Sequence, residues 1–130
     1  MSANYEREYQ EYLKKNPHIA VMIRDRVKKY GNKTALKDKT SGTWVATSWE
    51  EFGHRIDGTA KALLELNVKE HEMVGIFSPN TASWSIADAA ILSIRAVSVP
   101  VYATNSMKEA EYIVNDAELR IMFVFDQRQY

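Results

Sequence analysis

Residues 73–105 read MVGIFSPNTASWSIADAAILSIRAVSVPVYATN, and this stretch decides the fold. Its first run, VGIFS, is continuously apolar rather than alternating, as expected of a strand covered on both faces. Residues 82–95 are apolar almost all round, which predicts a buried helix. VSVPVY supplies a second parallel strand, in which Pro100 points to an edge, a bulge or a strand end. The unit is therefore βαβ. Beyond it, Ser106 and Glu109 have capping-box spacing, Ala110, Ile113, Val114 and Ala117 mark the inward face of a short helix, and IMFVF follows as another strand. Strand, helix, strand, helix, strand from residue 73 onward predicts half of an open doubly wound sheet with right-handed crossovers.

Upstream, Ser48 and Glu51 repeat the capping spacing, and Trp49, Phe52, Ile56, Ala60, Leu63 and Leu66 recur at helical steps as one apolar stripe. Glu50, Arg55, Lys61 and Glu65 form the wet face. The β-prone runs TALKD and TWVATS, with a turn between Lys39 and Gly42, predict a hairpin. Asn16 and Pro17 form a helix-start signal, after which Ile19, Ile23, Val27 and Tyr30 share a face until Gly31 stops the helix. Tyr5, Tyr9 and Leu13 align along an N-terminal helical arm that docks on its parent body. The whole reads as one α/β unit: an arm at 1–16, a helix and β-hairpin at 17–48, and a βαβαβ portion at 49–130.

Hydrophobic residues make up 45% of the chain, enough for a core. Lysine plus arginine and aspartate plus glutamate number 17 each, so the basic footprint of a nucleic-acid binder is missing. No cysteine is present, which excludes disulfides and thiolate catalysis. The opening MSANYEREYQEYLKK resembles neither a secretory signal nor a transit peptide, and no run approaches the roughly 20 apolar residues of a membrane span. A cytoplasmic protein is expected, with peripheral membrane attachment of a full-length form as the alternative.

In an open parallel sheet, ligands gather beyond the carboxyl ends of the strands. Those ends carry Ser78, Pro79 and Asn80; Tyr102, Ala103, Thr104 and Asn105; and Asp126. Of these, Ser78, Asn80, Tyr102, Thr104 and Asn105 are the candidate substrate- or cofactor-adjacent residues. Asn80 and Ser106 also read as helix caps, and Pro79 as a turn former. Thr40, Ser41, Gly42 and Thr43 spell the opening of a phosphate loop, but Trp44, Val45 and Ala46 follow where more glycines and a lysine are needed, so the segment reads as a hairpin turn. His18, His54 and His71 lack metal-site spacing and are expected at the surface. There is no GxSxG elbow, and no catalytic or metal residue is assigned.

TSWEEF at 47–52 resembles the first core motif of the adenylate-forming superfamily, and AILSIRAVSVPVYATN at 90–105 resembles its second. SPNTASWSIADAA between them is similar to the SPN-x-x-x-W pattern of the long-chain branch of the AMP-forming acyl-CoA synthetases. The resemblance covers roughly residues 17–126. Arg95 departs from it, standing where the family usually has glycine, which implies altered packing or a side chain reaching outward.

The resemblance implies a doubly wound sheet of an adenylate-forming large domain, of which this chain is an N-terminal fragment. It also implies a parent ATP-dependent long-chain fatty acid CoA ligase that uses ATP, CoA and magnesium. Such an enzyme makes an acyl-adenylate and then passes the acyl group to CoA. Fatty acid, ATP and CoA would be its partners. The fragment alone is expected to hold no cofactor, to be inactive and to self-associate. The alternatives are a stand-alone flavodoxin-like binding or interaction module, and a fragment of a short-chain or aromatic acid ligase.

Overall fold

The computed structural model describes residues 3–15, 18–40 and 42–127. In chain order they form α1 (Ala3–Lys15), α2 (Ile19–Tyr30), β1 (Thr34–Thr40), β2 (Thr43–Ser48), α3 (Trp49–Glu65) and β3 (Met73–Phe77), followed by α4 (Ala82–Ser93), β4 (Val97–Val101), α5 (Met107–Asp116) and β5 (Ile121–Val124). Strands β4, β3 and β5 lie in that order as a parallel sheet, while β1 and β2 pair antiparallel as a separate hairpin. This is the α/β architecture expected.

The central strand β3 explains the continuous apolar run, because both its faces are covered. Val74 and Ile76 pack with Leu63 of α3 and with Ala87 and Ile91 of α4. On the other face, Phe77 packs with Val101, Ala110 and Ile113, which brings α5 down onto the sheet. Gly75 on that face leaves room for its neighbours, since a Cβ there would lie 2.8 Å from both Leu119 Cδ1 and Met122 Cγ. A further cluster joins Phe52, Ile56 and Ala60 of α3 to Ile86, Ala89 and Ala90 of α4. Helix α4 is thus buried against α3 and against the sheet, as its nearly uniform apolarity requires.

The helix starts are fixed by local chemistry. Ser48 accepts from the Glu51 amide at 3.1 Å, and the first two amides of α3, those of Trp49 and Glu50, donate to Lys33 O and Gly31 O, so the end of α2 caps the start of α3. Ser106 and Glu109 form the full reciprocal box at α5, and the Ser106 amide and hydroxyl hold the Glu109 carboxyl below the usual carboxylate range. At the opposite end of the sheet, Arg120 pairs with Glu72 at 2.9 Å and donates to Leu66 O at 3.2 Å, tying the entry to β5 to the entry to β3 and to the end of α3.

Several expectations need correction or qualification. Leu66 is not part of the buried stripe: it is the C-cap of α3 and more than half exposed. The cap of α4 is Thr81, whose hydroxyl accepts from the Trp84 amide, and not Asn80. The start signal at Asn16 and Pro17 lies outside the described residues, and α2 begins at Ile19 with His18 as its N-cap residue, which makes no side-chain cap bond. Ser41, in the predicted turn, also lies outside them. Gly42 beside it has φ of 84°, a backbone region that favours glycine. The arm forms helix α1, whose Tyr5, Tyr9 and Leu13 stay exposed, and Tyr12 hydrogen-bonds Met22 Sδ at 3.2 Å.

Candidate site at the carboxyl end of the sheet

Because the three strands of the sheet run parallel, the candidate residues all emerge at one end of it. Ser78 is half-buried just past β3 and donates to the Pro79 carbonyl at 2.8 Å. Asn80 is exposed and borders a cavity of about 400 Å³ between the hairpin, at residues 36–38, and the start of α4. Tyr102 is 79% exposed, and its carbonyl accepts from the Asn105 amide at 2.9 Å, so the β4 exit is a closed turn. Thr104 is exposed within that turn, and Asn105, half-buried, lines a second cavity of about 500 Å³ on α5 with Lys108, Glu109 and Tyr112. The candidates therefore share a sheet end but line separate cavities.

Strand order refines this picture. The chain runs from β3 outward to β4 and then crosses to β5 on the far side of β3, so the topological switch lies between β3 and β5. Ser78 and the half-buried Asp126 flank that crevice, where the Phe125 amide donates to the Phe77 carbonyl at 3.1 Å. Tyr102, Thr104 and Asn105 stand on the other side of β3 from it. A further cavity of about 580 Å³ lies elsewhere, between α2 and α3, with Ile23, Val27 and Ile56 in its walls and the Arg24–Asp57 pair, at 2.9 Å, beside it.

Asp38 is the residue that sequence reasoning missed. The Ala82 amide at the first turn of α4 donates to both of its carboxylate oxygens, at 2.9 and 2.8 Å, from 44 residues away. The start of α4 is the helix end that follows β3, where a free phosphate would be drawn by unpaired amides and the helix dipole. Here the chain's own carboxylate fills that place. No local signal in the sequence announces the contact, since it depends on the hairpin folding over α4.

Among the described residues no group of three or more His, Cys, Asp or Glu side chains could hold a metal ion. His18, His54 and His71 are exposed. No described helix is long and apolar enough to cross a membrane.

Comparison with known proteins agrees with this architecture. The chain is 30% identical over 111 residues to the long-chain-fatty-acid–CoA ligase ACSBG2 of Xenopus laevis, covering 85% of this chain and 15% of that protein. It is 34% identical over 82 residues to the long-chain-fatty-acid–CoA ligase FadD15 of Mycobacterium bovis, covering 63% of this chain and 14% of that one. The chain therefore spans about a sixth or less of the curated relatives it matches. Among solved structures, the fatty acid AMP ligase from Legionella pneumophila superposes with a TM-score of 0.76 at 16% identity, over 84% of this chain and 20% of that one. The N-terminal subdomain of NpsA from Klebsiella oxytoca gives 0.75 at 16% identity, over 86% and 28%. At such identities these two likenesses speak for the fold alone. Residues 23–130 match the AMP-binding enzyme family, and the chain belongs to it.

Proposed function

We propose that this chain is the N-terminal portion of the large adenylating domain of a long-chain fatty acid CoA ligase. The observation that carries the proposal is the family match over residues 23–130, joined to long-chain fatty acid ligases as relatives over 85% of the chain. The same match favours a ligase over a stand-alone flavodoxin-like module. In this reading the fatty acid carboxylate attacks the α-phosphate of ATP to give an acyl-adenylate and pyrophosphate, and the CoA thiol then takes the acyl group with release of AMP. ATP, CoA and magnesium would be bound mainly by residues outside this chain.

The role left to these residues is positional. The core around β3, α3 and α4 sets the carboxyl end of the sheet, and Ser78, Asn80, Tyr102, Thr104 and Asn105 stand there as substrate- or cofactor-adjacent residues. Asp38 holds the hairpin on α4, so the start of that helix is rigid and already neutralised.

The test is pyrophosphate release and acyl-CoA formation by the full reading frame that carries this sequence, supplied with palmitate, butyrate or anthranilate. Palmitate turning over with the highest kcat/KM supports the reading. Preference for butyrate or anthranilate overturns the chain-length assignment, and no activity with any acid overturns the ligase assignment. The 130-residue chain by itself is expected to release no pyrophosphate above background.

A further inference from the structure

The hairpin has two unlike faces. Antiparallel register pairs Leu36 with Thr47 and Asp38 with Val45, and it pairs Lys37 with Ala46 and Lys39 with Trp44. Directly paired residues share a face, and successive pairs alternate. The first set is turned to the body: Leu36 packs against the α3–α4 cluster, Thr47 is buried and Asp38 bonds the start of α4. The second set, Lys37, Lys39, Trp44 and Ala46, is turned away, and all four residues are exposed.

Trp44 is 65% exposed, and Val45 beside it 51%, at the end of the hairpin next to its turn. Asp38 is the hairpin's sole acid and it is engaged on α4, so the outer face carries only positive charge. Among the described residues neither Lys37 nor Lys39 forms an ion pair. An exposed indole on a paired strand beside two uncompensated ammonium groups suits an interface where an apolar layer meets negative charge.

We propose that the outer face of the β1–β2 hairpin is an attachment surface for anionic phospholipid membranes. Trp44 enters the headgroup boundary, and Lys37 and Lys39 meet the lipid phosphates and carboxylates. Charge complementarity singles out this occupant. A second copy of the same face would bring lysines against lysines, whereas an acidic membrane neutralises them. The inference stands independently of the ligase reading.

The experiment is sedimentation of the chain with vesicles of phosphatidylcholine alone and of phosphatidylcholine with phosphatidylserine, together with quenching of tryptophan emission by brominated lipid. Binding to the acidic vesicles is expected, falling with added salt. Lys37→Glu with Lys39→Glu should weaken it by about tenfold or more, since each lysine near an anionic surface contributes about fivefold. Lys37→Gln with Lys39→Gln serves in the same way if the charge-reversed variant fails to fold by circular dichroism. Trp44→Phe should abolish the lipid quenching, because Trp49 and Trp84 are half-buried in the body.

No sedimentation with acidic vesicles overturns the proposal. So does equal binding to neutral ones, unchanged binding by both lysine variants, or quenching that survives in Trp44→Phe. A dimer in the absence of lipid that Trp44→Phe dissolves would reassign the face to self-association.

Discussion

Asn67, Arg95 and Glu118 have φ of 63°, 62° and 49°, and each stands one residue past the C-cap of α3, α4 or α5. In all three cases the next amide reaches five residues back: Val68 to Leu63 O, Ala96 to Ile91 O and Leu119 to Val114 O. These are Schellman ends, which favour glycine because a Cβ is strained at positive φ. That supplies a reason for the glycine that the family resemblance implies at the position of Arg95. The backbone conformation asks for it, while the arginine side chain reaches outward to Glu70 at 2.6 Å, with 71% of its surface exposed. An exposed pair of this kind contributes little, so relief of the left-handed strain should dominate. Arg95→Gly is expected to stabilise the fold by about 1 kcal/mol, and Arg95→Ala, which keeps the strain and loses only the pair, to change it little. Urea denaturation of both variants checks this, and a glycine variant no more stable than the alanine variant would contradict it.

At the scale of elements, the contact of α2 with α3 turns on one glycine. A Cβ at Gly53 would lie 2.9 and 3.0 Å from the two γ-carbons of Val27, closer than side chains tolerate. Gly53→Ala brings opposing effects: better helix propensity by about 1 kcal/mol and overpacking at about 1–3 kcal/mol. Since valine is stiff and cannot swing away, overpacking should win and the variant should be destabilised. Adding Val27→Ala removes the obstruction, so Gly53→Ala should then become neutral or stabilising. Additive effects in this double-mutant cycle would show that the helices simply separate. The elements themselves were readable because their signals are local: the continuous run of β3, the all-round apolarity of α4, the capping hydroxyl of Ser48 and the full box at Ser106. Sequence failed where the cause is distant or conformational. The periodicity that includes Leu66 runs on past the last helical turn, the turn that places Thr81 rather than Asn80 at the cap has no separate code, and the bond from Ala82 to Asp38 exists only after the hairpin docks. For the candidate site, the end of the sheet was legible from strand order in the chain, but the spatial order β4, β3, β5, which puts the switch beside Ser78 and Asp126, was not.

At the scale of the molecule, each flanking strand, β4 and β5, has β3 as its single neighbour among the described strands. A parallel sheet with helices on both faces is usually wider than this, and the relatives are several times longer. Pro100 lacks an N–H and sits in β4, a position that a strand with a free side tolerates, and it also makes β4 the poorer template for a new strand. The edge at β5 carries no such block, and exposed Val124 and Phe125 stand at its end. Exposed Met107 and Tyr112 of α5 add apolar surface. Unsatisfied strand edges beside apolar surface promote association. The chain is therefore expected to form dimers or larger assemblies by light scattering as concentration rises, and to bind a hydrophobic dye. Val124→Lys with Phe125→Lys should move it toward the monomer by placing charge beside the open edge, whereas Val97→Lys on β4 should do so less. A monomer at all concentrations, or a β4 variant that acts more strongly than the β5 pair, would mean that the β5 edge is not what drives the contact.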